Sequence, residues 1–189
     1  MQDPYDDSAR RRSEVPIPAP EGRTLGDRYR FLEPGESGVG SDRIVRLWVD
    51  EGVLSEEQAR ARVNDVVLVA IDQEEDVVGV STAWLQENLH LRMTLWNYRT
   101  FVARAHRQGD IAFLLLHASR DALAARYADG TDRRASGMIM EVQNEILKRT
   151  RNQGVWTTSR FAFIGEDEVG AHHRVYYFPG ATAPTRAAR

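Results

Sequence analysis

The chain has 189 residues, 42% of them hydrophobic and 28% charged, with a formal net charge of −3 and no cysteine. This composition describes one globular domain with tails, large enough to bury its own core, and excludes a surface that binds nucleic acid as a whole. The missing cysteine excludes disulfides, thiolate metal sites and a cysteine nucleophile, and the cytoplasm is the expected compartment.

Residues 1–40 carry Pro16, Pro18 and Pro20 among glycines, arginines and acids. Such a stretch buries too little apolar surface to offset the entropy of ordering, so a flexible N-terminal arm, disordered or extended, is expected. Within it "RYRFLEP" (28–34) reads as a short strand docking on the domain. The opening "MQDPYDDSARRRSE" places charge where a signal peptide needs an apolar core, and its basic run reads as a solvated segment. From residue 41, Ile44, Val45, Leu47 and Trp48 form one apolar helical face that stops at Gly52. Ser55 and Gln58 make a capping box ahead of a second helix, "EEQARARV". "DVVLVAID" (65–72) and "VVGVSTAWLQ" (77–86) predict a hairpin around the acidic turn "QEED", and "TLWNYRTFVARA" (94–105) a third long strand. Ile111, Leu115, Ala118, Ala122 and Ala125 recur at helical spacing, which predicts a helix over 111–127. A polar loop leads to a buried strand, "MIMEVQN" (138–144), a short helix, "EILKRTRNQG", and two aromatic strands, "RFAFIG" and "HRVYYF". Consecutive strands early and late lack crossover helices, so the order predicts an α/β domain with a mixed sheet over 41–180, followed by a flexible tail over 181–189.

The stretch "RTFVARAHRQGDIAFLLL" turns from strand to helix through a basic corner. Four unpaired backbone N–H groups and the partial positive dipole make a helix start an anion site, and Arg104, His106 and Arg107 add charge beside it. With the element order, this corner resembles the GNAT (N-acetyltransferase) superfamily, over about residues 41–180. The family's loop Q/R-x-x-G-x-G/A matches Arg107, Gln108, Gly109, Asp110, Ile111 and Ala112, with Asp110 in place of the central glycine. The resemblance implies a GNAT-like mixed central sheet flanked by helices, acetyl-CoA as co-substrate and no metal. It also implies a pyrophosphate held by Arg107–Ala112, pantetheine held along Phe101, Val102 and Ala103, and an Asn144 that bonds the pantetheine amides.

Asp is also a preferred N-cap, and a carboxylate there would take the amides a pyrophosphate needs. Asp110 therefore either turns outward and frees them or closes the site. Asn144 has a like alternative, a cap before Glu145. Acetyl transfer needs a base for the amine and a proton for the leaving thiolate. The resemblance suggests Glu141, with Glu87 more distant, as the base. The helix after Asn144 lacks the family's tyrosine, so Tyr176 or Tyr177 in the last strand is the substitute, unless these aromatics pack in the core. The expected function is acyl transfer to a small-molecule or peptide amine, with no nucleic acid and no membrane as partner. The alternative is a non-catalytic module that keeps the fold and binds acyl-CoA or a protein. The β-prone "RVYYF" offers an edge for a homodimer. His172–His173 lacks zinc spacing, and the other histidines are scattered.

Overall fold

A computed structural model describes residues 28–35, 38–107 and 110–184. Most of the arm, the tail after residue 184, and Gln108 and Gly109 of the basic turn lie outside the described residues. The elements follow the predicted order. Strand β1 (Arg30–Leu32) precedes helices α1 (Ser41–Asp50) and α2 (Glu56–Arg62). Strands β2 (Val66–Ile71), β3 (Val77–Asn88) and β4 (Met93–Val102) lead to helix α3 (Ile111–Ala128). Strand β5 (Gly137–Val142), helix α4 (Glu145–Thr150), and strands β6 (Ala162–Glu166) and β7 (His172–Tyr177) complete the domain.

The strands form one seven-stranded sheet in the order β1-β2-β3-β4-β5-β7-β6. Every neighbouring pair is antiparallel except β4 and β5, which are parallel. A parallel pair needs a crossover, and α3 supplies it. The docking strand expected at 28–34 is present as β1, paired with β2 along Arg30–Leu32.

Because strand side chains alternate between faces, the sheet has two unlike sides. On one side α1 and α2 press Ile44, Val45, Leu47, Trp48 and Ala59 onto Val69, Ile71 and Val80. The capping box at Ser55 and Gln58 starts α2 as its sequence predicts. On the other side α3 buries Ile111, Leu115, Leu116 and Leu123 against Val78, Ala83, Tyr98 and Met138. Ile111 is fully buried at the first turn of α3, worth roughly 2 kcal/mol. That turn sits low on the sheet because β3 offers Gly79 there; a Cβ at Gly79 would meet Leu115 Cδ1 at 3.2 Å. The start of α3 is thereby fixed beside the end of β4.

Two elements stop earlier than their patterns suggest. Strand β4 ends at Val102, since residues Arg104–His106 turn into a 3-10 helix whose first amide is taken by Glu51 Oε1 at 3.1 Å. Strand β5 ends at Val142, since Asn144 leaves the sheet to cap α4, its Oδ1 accepting from Leu147 N at 2.9 Å. Arg174 of β7 is buried, and among the described residues no carboxylate pairs with it. It stacks 4.2 Å over Trp156 and donates to the Gln153 and Arg151 carbonyls, tying residues 151–156 to the sheet, and burial lowers its pKa.

Candidate functional site

The parallel pair comes apart. Strands β4 and β5 are in register at Trp96–Met138, Asn97–Ile139 and Tyr98–Met140, and residues 99–102 and 141–142 run on without pairing to each other. A wedge opens between the C-terminal ends of the two strands. The β3–β4 register is unbroken over Gly79–Val102, and Ala103 N bonds Val78 O at 2.8 Å. In an antiparallel ladder the backbone groups of alternate residues face alternate sides. Phe101 and Ala103 therefore face β3, while Thr100 and Val102 turn their N–H and C=O groups into the wedge. Of the three residues expected to hold pantetheine, only Val102 presents its backbone there; Thr100, one residue before them on the same strand, is the second presenter.

The start of α3 lies beside this edge. Asp110 occupies the N-cap position, but its side chain makes no capping bond; its carbonyl takes Leu114 N at 2.8 Å. The capping role open to Asp110 is therefore not taken, and among the described residues no side chain caps Ile111 or Ala112. Arg107 donates from Nε to Val102 O at 3.0 Å and lies over Phe101, at 5.5 Å from the ring centre. Asn144, at the mouth of α4, spends its oxygen on the cap and keeps its Nδ2 for other partners.

The two proposed acid–base residues do not meet. Glu141 and Tyr176 stand three residues apart in register, since Glu141 pairs with His173 and Met138 with Tyr176. An odd offset puts them on opposite faces. Tyr176 lies on the α3 side against Phe161 and Phe178, with Arg120 over its ring, which is core packing. Tyr177 is at the far end of β7, opposite Gly137. Glu141 lies on the other side at the mouth of the wedge, ion-paired to Arg99 of β4.

Around Glu141 the structure gathers groups from four strands. Gln86, Glu87, Asn97, Glu141 and His173 line one recess of about 60 Å³. Asn97 donates from Nδ2 to Gln86 Oε1 at 2.5 Å, and its own Oδ1 is buried without a partner. His173 Nε2 lies 3.4 Å from Asp167 Oδ2. Asp167 also accepts from Ala171 N at 2.8 Å and Val169 N at 3.0 Å, and these bonds, the Ala171 amide foremost, hold its carboxyl below the ordinary value. Asn97 and Arg99 are not among the residues the sequence singles out, and His173 is weighed there only as a metal ligand. The signal for the first two was available, because Leu95, Asn97 and Arg99 alternate on one face of a strand that is otherwise apolar.

On the α3 face the polar groups are closed on themselves. Thr100 Oγ1 donates to the Tyr98 hydroxyl, and Ser119 Oγ donates to Ser81 Oγ at 2.8 Å, which in turn bonds Leu68 O. Burial holds the Tyr98 phenol above its ordinary value, against hydrogen bonds from Thr100 and Ser119. Among the described residues no group of three or more histidine, aspartate or glutamate side chains is arranged to hold a metal, and no helix is long and apolar enough to cross a membrane.

No protein-family model matches the sequence, and no curated protein matches it. Solved structures do match the fold. An acetyltransferase of the GNAT family from Streptococcus pneumoniae superposes with a TM-score of 0.53 at 11% identity, over 80% of this chain and 98% of its own. NAA60 from Arabidopsis thaliana, solved in complex with acetyl-CoA, gives 0.55 at 16% identity over 79% and 99%. The ribosomal-protein-S5-alanine acetyltransferase from Vibrio fischeri gives 0.51 at 10% identity over 82% and 94%. The chain has the GNAT fold.

Proposed function

We propose that this chain, built on the GNAT fold, is an acyltransferase that moves an acetyl group from acetyl-CoA to an amine. The observation that carries the reading is the wedge between β4 and β5, with its open backbone edge beside the uncapped start of α3. In this reading the Ile111 and Ala112 amides and the Arg107 guanidinium hold the pyrophosphate, helped by Gln108, Gly109 and the helix dipole. Asp110 borders the phosphates, and its carboxylate makes no bond to these amides. Thr100 and Val102 hold pantetheine as an added strand, with Val102 O able to keep Arg107 on one lone pair and accept on the other. Asn144 reaches the same arm from the β5 side.

Glu141 is then the base at the mouth of the wedge. A neutral amine attacks the thioester carbon, a C–N bond forms and the C–S bond breaks with its electrons on sulfur. Glu141 takes the nitrogen's proton, directly or through water, and the sulfur takes one from solvent, since Tyr176 lies on the wrong face. Arg99 fixes the Glu141 carboxylate toward the wedge. Coenzyme A release over a panel of primary amines tests the reading. Glu141→Gln is expected to lower kcat by ~100-fold with acetyl-CoA affinity unchanged. A second reading, acyl-CoA binding without turnover, draws on the Asp110 charge beside the helix start and the ion pair that engages Glu141. Tight binding with no release from any amine would establish it.

A further inference from the structure

From the unmatched oxygen of Asn97, we infer that the recess beside it seats a second hydrogen-bond donor of the acceptor, which is therefore a cationic amine with two donor groups. This rests on the transferase reading only for the chemistry that follows binding. Asn97 is 8% exposed, on the central strand β4, and its Nδ2 is committed to Gln86. A buried acceptor without a donor costs stability and needs an explanation. Asn97 lines a recess of about 60 Å³, room for an amino or hydroxyl head but not a whole substrate.

The charge around the recess selects the ligand. Glu141 of β5 lines the recess, and Asp167 on the turn before β7 stands beside His173, while Glu87 pairs with Thr94 and turns its side chain to the other face. Arg99 of β4 is the cation beside Glu141, which already engages it, and Arg107 stands farther along the wedge at Val102 O. An anionic acceptor would meet the Glu141 and Asp167 carboxylates, and a cation would be drawn in. The register sets the spacing. Asn97 pairs with Ile139, one pleat before Glu141, so the Asn97 oxygen sits ~7 Å along the strands from the level at which the wedge opens. An amine reacting at Glu141 places a second N–H or O–H on Asn97 if its two donors span that distance.

The full chain, isotope-labelled for NMR, would be titrated with 1,4-diaminobutane, n-butylamine and butyrate while the Asn97 side-chain amide and His173 ring signals are followed. The diamine is expected to shift both saturably and about tenfold more tightly than n-butylamine, the worth of one hydrogen bond. Butyrate is expected to shift neither. Equal shifts from butyrate, equal affinities for the two amines, or no shift from the diamine would each overturn the inference. Asn97→Leu is expected to lose the diamine preference and, freed of its unmatched oxygen, to melt no lower than the parent. Asn97→Asp keeps an oxygen in place and is expected to bind the diamine at least as tightly, which serves as the comparison if Asn97→Leu does not fold. Acetyl-CoA affinity is measured separately. Diamine binding without acetyl-CoA binding would end the transferase reading and leave the seat standing; acetyl-CoA binding with silent amines would do the reverse.

Discussion

The two faces of the sheet at the wedge are built from similar residues to opposite ends. Toward α3, Ser81, Ser119, Tyr98 and Thr100 are buried or half-buried hydroxyls that bond one another and the backbone of β2. Away from α3, Asn97 of β4, Glu141 of β5 and His173 of β7 are polar groups whose bonding is incomplete or open to solvent. A satisfied buried chain holds a fold together, and an unsatisfied one is a standing cost that a ligand can relieve. The comparison separates the groups that carry structure from those free for chemistry.

The largest expected effect lies where the two faces share one backbone. Gly137 starts β5 directly under β7, and a Cβ there would stand 2.2 Å from the Tyr176 carbonyl oxygen. Gly137→Ala is expected to cost about 3 kcal/mol or more by forcing β5 and β7 apart, read as a loss in urea midpoint. A stable variant would mean that the two strands are not locked at that point.

Next comes the contrast between the faces themselves. Tyr98→Phe removes a hydroxyl from the closed chain and leaves Thr100 and Ser119 short of a partner, an expected loss of about 1–2 kcal/mol in chemical denaturation. Asn97→Leu, on the other face, is expected to cost within about 0.5 kcal/mol of nothing, or to stabilise. Equal losses would erase the distinction between the faces.

Much of this was legible before any coordinates. Apolar periodicity marks α1, α3 and the strands, the Ser55–Gln58 box marks α2, and the absence of crossovers marks a mixed sheet. The wedge was not legible from residue pattern, because pairing ends at Tyr98 through the geometry of two diverging strands and no side chain announces it. The faces of β5 and β7 depend on register, which one residue of slip would reverse. Tyr176 looked available in sequence for that reason, and the structure turns it into the aromatic core beside Phe161. Asn144 was balanced between pantetheine and cap, and its oxygen has taken the cap.

A smaller effect concerns the helix start. An N-cap aspartate usually contributes ~1 kcal/mol, but the Asp110 carboxylate makes no capping bond. Asp110→Ala is therefore expected to leave thermal stability nearly unchanged, while removing a negative charge beside the phosphates and tightening acetyl-CoA binding by a few-fold. A marked stability loss would show the side chain capping α3 after all.

The smallest is a pH effect on the closed face. His117 of α3 is half-buried with Nε2 unpartnered, and burial, with Arg120 adding to it, lowers its pKa below the ordinary 6.5. The unfolded chain then binds more protons, so this contribution is fully present above pH ~6.5 and is lost as pH falls from there toward the lower folded value. Melting curves between pH 5 and 7 should show a shallower decline in His117→Gln than in the parent; identical slopes would assign the acid sensitivity to other groups.

The central claim is that the wedge and the start of α3 hold acetyl-CoA, and calorimetric titration of acetyl-CoA into the full chain at moderate salt tests it most directly. Saturable binding of one molecule per chain in the micromolar range, weakened by an Ala112→Asp substitution that puts a carboxylate at the helix start, is the result this account predicts. No heat of binding from a protein that melts cooperatively would contradict it.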